Sequence, residues 1–256
     1  MGAATGSIQS VGKAVGILRL LGRGQAMRVT DVAKEAGLGV STASRLLATL
    51  EAEGLVERDP VSGFYRLGPD MITFGGVAVN QQPLFRGARQ VLQNLAASSR
   101  LGVNLAVRSG ATVMYLANFE GAEAPRNHSI VGRHDPMHAT SAGKCLLLGV
   151  AVAEWPELLG ELTVFTPATI TDLGVLEEQV TEIARTGYAK DQDEFALGRA
   201  SVAVPIRGVD GSVLGAISIA GPTTAVRLDE READLAATAI EVADRIGANL
   251  GYTGNV

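Results

Sequence analysis

The sequence predicts an α+β protein in two parts: a small head of three helices and a β-hairpin, then a larger body where strands and helices are segregated. Three observations carry this. At 256 residues the chain exceeds one ordinary domain. Its composition, 46% hydrophobic and 19% charged, is globular and rich enough in apolar residues for a core. The spacing of its apolar residues changes along the chain, helical at first and then mixed with extended runs.

The head begins with residues 8–21, IQSVGKAVGILRLL. Val11, Val15, Leu18 and Leu21 recur at helical spacing, and Gly22 and Gly24 end the run. A second helix is expected over TDVAKEAG, with Thr30 as its cap, Val32, Ala33 and Ala36 inward, and Gly37 as its stop. After a short LGV link, Ser41 is the expected cap of STASRLLATLEAEG, closed by Gly54. That separation is the spacing of a helix-turn-helix. At about 100° per residue, Ala43, Leu46, Leu47 and Leu50 form the inner stripe of this third helix. Ser41, Thr42, Arg45, Ala48 and Thr49 point outward, with Ser44 on the flank. Two extended runs follow, Leu55–Arg58 and Phe64–Leu67, flanking the turn signal Asp59-Pro60-Val61-Ser62-Gly63. Helix, helix, helix, hairpin is a winged helix-turn-helix.

Charge tells the same story once divided. The whole chain carries 22 basic and 27 acidic residues, net −5, which argues against a nucleic-acid partner. Residues 1–50, however, hold Lys13, Arg19, Arg23, Arg28, Lys34 and Arg45 against Asp31 and Glu35, a local +4, and the remainder carries −9. A surface of small polar residues and one Arg suits close approach to base edges and phosphates. The expected DNA-contacting set is therefore Ser41, Thr42, Ser44, Arg45 and Thr49 on the third helix, with Arg58 and Arg66 on the wing near a phosphate backbone. Three ordinary core helices and a hairpin would leave part of the same trace, but not the agreement of turn, polar outer face and wing.

Residues 69–82, PDMITFGGVAVNQQ, start with a proline suited to a helix N-terminus. Met71, Ile72, Phe74, Val77 and Val79 make this linker helix apolar on more than one side, as expected of a helix buried between subunits. Pro83 breaks it before a second helix, Leu84–Arg100. The expected organisation is a DNA-binding domain over 1–68, a linker helix over 69–83 and a larger domain over 84–256. In that last part, strands are expected at Asn104–Arg108, Thr112–Asn118, Asn127–Gly132, Gly187–Lys190, Ala200–Arg207 and Ser212–Ile219. Helices are expected at Ser141–Leu148, Ala153–Leu158, Leu173–Thr186 and Asp229–Leu250. Val209-Asp210-Gly211 joins the last two strands as a hairpin.

Several chemistries are weak on the residues themselves. The one cysteine, Cys145, excludes a disulfide framework and fits a reducing cytoplasm as a buried thiol. The chain start lacks the apolar core of a secretory leader, and no run reaches the roughly 18 apolar residues of a membrane span. His138-Ala139-Thr140-Ser141-Ala142-Gly143-Lys144 is not a phosphate loop, because no Gly lies five residues before Gly143 and Cys145 replaces the Ser or Thr. Thr140 or Ser141 caps a helix there, which leaves two readings open: a small-carboxylate site or a plain packed helix. His128, His134 and His138 lack ligand geometry, with Pro136 between the latter two, so no metal and no cofactor is expected. Asp191, Asp193 and Glu194 read as a solvated acidic loop. Arg199 is a candidate for bidentate pairing with a carboxylate. An enzyme with a helical appendage is the alternative, opposed by the lack of a nucleophile–base or metal constellation.

The chain resembles an IclR-type transcriptional regulator over nearly its whole length. In the head the resemblance rests on SVGKAVGILRLL, VTDVAKEAGLGVSTASRLLATLEAEGLVERD and YRLG. In the body it rests on VGRHDPMHATSAGKCLL, the stretch from Thr166 to Leu173, GYAKDQDEFALG and SVLGAISIAGP. The resemblance implies homodimers or dimers of dimers on a palindromic double-stranded operator. It also implies that 84–256 is a GAF/PAS-like effector-binding and oligomerisation domain with a central antiparallel sheet, and that a small organic-acid effector modulates operator binding. In such regulators the effector lies at the turn of Ser141 and Ala142, and Asp191, Ser201 and Ser218 match further pocket positions. Ser201 is often Cys in the family, and the position of Ala220 is Ser in some members, so no particular ligand transfers.

Overall fold

The structure is a computed structural model that describes residues 8–124 and 129–251. It divides into two compact units, Met1–Asn80 and Gln81–Val256.

The first unit contains α1 (Gln9–Leu21), α2 (Val29–Glu35), α3 (Val40–Ala52), β1 (Val56–Arg58), β2 (Tyr65–Leu67) and α4 (Asp70–Asn80). Its core gathers Ile17, Leu20, Leu21, Met27, Val32, Leu47, Leu50, Val56 and Tyr65. α1 turns the second half of the expected stripe inward, with Leu21 buried and Leu18 packed beside the core, but not its first half. Val11 is 56% exposed, and Val15 is exposed too, while Ala14 and Leu18 pack beside Ile17. Ile17 and Leu20 rotate the inner face away from the two valines, and burying them removes more apolar surface from water. The expected caps also move. α2 starts at Val29, before Thr30, and the Asp31 carboxylate accepts the Arg28 N–H at 3.3 Å. α3 is capped by backbone: the Gly39 carbonyl accepts the N–H groups of Thr42 and Ala43, both at 3.0 Å, so Ser41 lies inside the first turn. The turn between α2 and α3 needs Gly37, whose φ is +64°.

The wing pairs β1 and β2 antiparallel, with Val56 opposite Leu67 and Arg58 opposite Tyr65. Asp59 builds its turn: one carboxylate oxygen accepts the Val61 and Ser62 N–H groups and the Ser62 hydroxyl. Met27 joins the wing through two backbone bonds with Tyr65, at 3.0 and 2.8 Å. α4 has no buried residue in the single chain; Ile72 is 80% exposed, and Phe74 and Val77 are more than half exposed.

The second unit is a six-stranded antiparallel sheet with helices on both faces. In chain order its elements are α5 (Pro83–Ser99), β3 (Gly102–Ser109), β4 (Thr112–Phe119), β5 (His134–Pro136), α6 (Ser141–Leu147), a 3-10 turn at Val152–Glu154 and α7 (Trp155–Leu159). They continue with α8 (Leu173–Thr186), β6 (Ala189–Gln192), β7 (Arg199–Arg207), β8 (Val213–Pro222), α9 (Thr223–Val226) and α10 (Leu228–Asn249). The strand order is β5-β4-β3-β8-β7-β6. The expected strand Asn127–Gly132 is not found: Pro125–His128 lie outside the described residues, and 129–132 form a turn. Gly132, at φ +79°, bends the chain onto β4: Gly132 and Arg133 bond to the Tyr115 backbone, and the regular ladder runs from His134 to Pro136.

Strand alternation assigns one set of residues to each face. Val103, Leu105, Val202, Val204, Ile217 and Ile219 pack with α5 and α10. Ala106, Ala203 and Ala216 face α6, α8 and Trp155, whose indole N–H donates to the Val150 carbonyl. Every residue of α6 is buried. The helix lies so close to the preceding chain that a Cβ on Gly143 would sit 2.2 Å from the Met137 carbonyl oxygen. Among the described residues no helix is long and apolar enough to cross a membrane.

Gly143→Ala must push α6 away from residue 137. The expected loss is about 1–3 kcal/mol, as for other overpacked cores, read as a lower urea midpoint; an unchanged midpoint would refute the close packing.

Candidate functional site

On α3, Ser41, Ser44, Arg45, Ala48 and Thr49 are exposed and Thr42 is half-buried. The Thr49 hydroxyl donates to the Arg45 carbonyl at 3.0 Å, so its proton is used within the helix. No ion pair to Arg45 is present among the described residues. The two wing arginines differ. Arg58 lies with its guanidinium 5.6 Å from the centre of the Tyr65 ring. Arg66 is ion-paired with Glu57 across the ladder, so part of its charge is already met. Arg28, which the sequence reading did not single out, stacks over the wing's Phe64 at 5.1 Å. Its signal in the sequence is a basic residue directly before the helix that precedes α3.

In the second unit, Ser141, Ala142, Asp191, Arg199, Ser201 and Ser218 all line one cavity of about 330 Å³. Thr140, not Ser141, caps α6: its hydroxyl oxygen accepts the Gly143 N–H at 3.2 Å and its proton goes to the Pro136 carbonyl. Ser141 is thereby freed to meet Ser201, hydroxyl to hydroxyl, at 2.6 Å. Ser201 donates on to Asp191 at 3.0 Å. Asn104 donates to the Ser218 hydroxyl at 3.0 Å and accepts from Asn118 at 2.9 Å. The small residues Ala142, Ala200 and Ala220 leave the space open, and Phe195 lines it from the β6–β7 loop. The sequence reading missed Arg133 and Asp135. They form an ion pair at 2.5 Å in the cavity wall, and Arg133 also lies over Tyr115.

The acidic loop is not solvated as expected. Asp191 and Glu194 are buried, and only Asp193 keeps partial exposure, at φ +61° with its carboxylate on the Gly198 N–H. Glu194 accepts from the buried Lys144 ammonium at 2.7 Å, and Lys144 also donates to Gln179 at 2.9 Å. Burial holds both Asp191 and Glu194 above the ordinary carboxylate range, and the Lys144 charge acts against it. Beside Lys144, burial pushes the Cys145 thiol up to about 12. His134 meets the Thr112 hydroxyl at 2.7 Å and His138 the Thr163 carbonyl at 3.0 Å; His128 lies outside the described residues.

Comparison with known families places both units. Residues 10–60 match the IclR helix-turn-helix domain, and residues 76–248 match the bacterial transcriptional regulator IclR C-terminal domain. The chain belongs to the IclR family of transcriptional regulators. It is 33% identical over 228 residues to the HTH-type transcriptional regulator XynR of Escherichia coli, covering 88% of this chain and 90% of that one. An IclR regulator from Alicyclobacillus acidocaldarius superposes with a TM-score of 0.84 at 27% identity, over 96% of this chain and 100% of that one. An IclR homologue from Microbacterium hydrocarbonoxydans, crystallised with 4-hydroxybenzoate, superposes with a TM-score of 0.80 at 26% identity, over 94% and 98% of the two chains. The protein is thus a DNA-binding transcriptional regulator with an effector-binding C-terminal domain, from a family of regulators rather than enzymes.

The raised Asp191 carboxyl has a consequence for stability. A carboxyl whose folded-state pKa is raised stabilises the protein fully below the ordinary carboxylate range. That contribution is lost as pH rises through the range to the raised value. Asp191→Asn removes this titration, so unfolding free energy measured by urea between acid and neutral pH should fall less steeply than in the wild type. An identical slope would show that Asp191 is not desolvated.

Proposed function

We propose that the head docks α3 in the major groove, with Ser41, Thr42, Ser44, Arg45 and Thr49 facing base edges and phosphates. The observation that carries this reading is the outer face of α3: small hydroxyls around one unpaired arginine. Arg58 and Arg28, each stacked on a wing aromatic, reach the phosphate backbone, and Arg66 contributes less because Glu57 shares its charge. The protein acts in the cytoplasm as a homodimer or dimer of dimers on a palindromic operator. α4 supplies part of the interface, since its Ile72, Phe74 and Val77 have no cover in one chain. Two copies of α3 are then spaced about 34 Å apart or a multiple of it.

The effector is a small organic acid held in the cavity of the second unit. A volume of about 330 Å³ sits at the low end of ligand pockets. Arg199 and Arg133 offer guanidinium donors to a carboxylate, while Asp191, Ser141 and Ser201 offer partners to a hydroxyl. The relative crystallised with 4-hydroxybenzoate supports an acid of this size. Its binding shifts the population of operator-binding forms through the linker helix.

Three measurements test these statements. Arg45→Ala should weaken operator binding by about 1–3 kcal/mol in a mobility-shift titration at fixed salt; unchanged affinity would remove Arg45 from the interface. Static light scattering at micromolar concentration should give at least twice the chain mass, and a monomer would end the role of α4. In a thermal-shift screen of aromatic and short-chain acids, a binding acid raises the melting temperature of the wild type. Arg199→Ala should lose that rise, and an equal rise in both would exclude Arg199 from the site.

A further inference from the structure

β6 is the last strand of the sheet, so among the described residues one of its edges meets no neighbouring strand. Its pairing with β7 fixes which backbone groups that edge presents. The Asp193 N–H donates to the Arg199 carbonyl at 2.8 Å, toward β7. Across a planar trans peptide the Gln192 carbonyl therefore points the other way. Groups alternate along a strand, so Asp191 and Ala189 bond inward, opposite Ser201 and Ala203. Lys190 and Gln192 turn their N–H and C=O groups to the free edge. Tyr188, of the same parity, sends its carbonyl outward too, where the Thr186 hydroxyl donates to it. The outward groups of Lys190 and Gln192 lie about 7 Å apart, two residues of strand, the spacing an added strand requires.

This edge is the floor of a groove of about 630 Å³, which all four residues of β6 line. One wall is α8, through Gln179, Glu182 and Ile183, and the other is the start of α10, through Leu228, Asp229 and Glu232. The walls are acidic. Glu182 and Asp229 are exposed; Glu182 shares its charge with Arg185 of its own helix, Lys190, the one cation among the described lining residues, is bonded to Glu232 at 2.8 and 3.0 Å, and Asp229 has no ion pair among the described residues. We propose that the groove binds an extended, basic peptide segment as a seventh strand. Main-chain bonds to Lys190 and Gln192 hold it, and its cationic side chains lie against Asp229 and against Glu182, where they compete with Arg185. A second copy of this chain fits less well. Its own β6 reads AKDQ, with one cation and one anion, and it is flanked by the same two helices, which would meet these walls. Strand addition at a free edge takes affinity from backbone bonds and specificity from side chains.

The test uses the full chain and a labelled peptide of about six residues, a typical strand length, with alternating Lys and Val. Fluorescence anisotropy at low salt should show saturable binding. Methylating the peptide nitrogens that face β6 leaves charge intact and should weaken binding about tenfold or more. Amide exchange at Lys190 and Gln192 should slow in the complex, and the double variant Glu182→Gln, Asp229→Asn should bind more weakly with a shallower salt dependence. Equal binding of methylated and unmethylated peptide would reduce the groove to a charged surface and overturn the proposal, as would the absence of saturable binding. Gln192→Pro removes one edge N–H and should lower peptide affinity at unchanged oligomeric mass. A fall in mass with peptide binding intact would make the edge a contact between copies and also overturn it.

Discussion

Lys144 places an ammonium inside an apolar helix at 1% exposure, and the arrangement of the second unit turns on how that charge is met. Taking an ammonium out of water costs several kcal/mol unless its donors are satisfied. Here they reach Glu194 on the loop after β6 and Gln179 on α8, so one side chain ties three elements that are distant in sequence. Asp191 and Ser141 are each three residues from a member of that ion pair, on β6 and α6. The cavity they line therefore inherits its shape from the buried charge. One Glu194 oxygen has no hydrogen-bond partner among the described residues, and burial raises the carboxyl accordingly. A pair held at this expense is better suited to fixing a geometry than to adding stability.

The sheet separates support from reception by residue size. Its α5 and α10 face is made of Val, Leu and Ile and is filled. Its other face carries Ala106, Ala203, Ala216 and Ala220 with Ser201 and Ser218, and α6 rests on it while Gly143 lets that helix approach the Met137 backbone just before it. Short side chains near the strand ends open a chamber, and hydroxyls and amides in its wall bond to one another. The polar groups are thus kept satisfied without a ligand while remaining able to exchange partners with one.

Much of this was readable from the residues, in proportion to how local the cause was. The helix Leu173–Thr186 has the bounds its periodicity predicts, because Asp172 caps it and Gly187 stops it within the same window. The residues expected at an effector line one cavity because family motifs mark positions that strand pairing then brings together. The errors lie where a decision depends on distant chain. Val11 and Val15 share helical spacing with Leu18 and Leu21, yet only the latter two turn inward, because the packing of Ile17 and Leu20 sets the inner face. Ser41 is a good cap by type, yet Gly39 takes the position because the turn at Gly37 brings its carbonyl there first. Asp191 and Glu194 look like a solvated loop until Lys144, 50 residues from Glu194, comes beneath them.

Trp155 gives the two units separate optical signatures. It is the only tryptophan of the chain, and it is sealed at 1% exposure in the core under α6. The head absorbs and emits only through tyrosine and phenylalanine. Indole emission thus follows the melting of the sensing unit alone, while far-ultraviolet dichroism follows both. Any gap between the two curves measures how independently the DNA-reading and ligand-reading parts unfold.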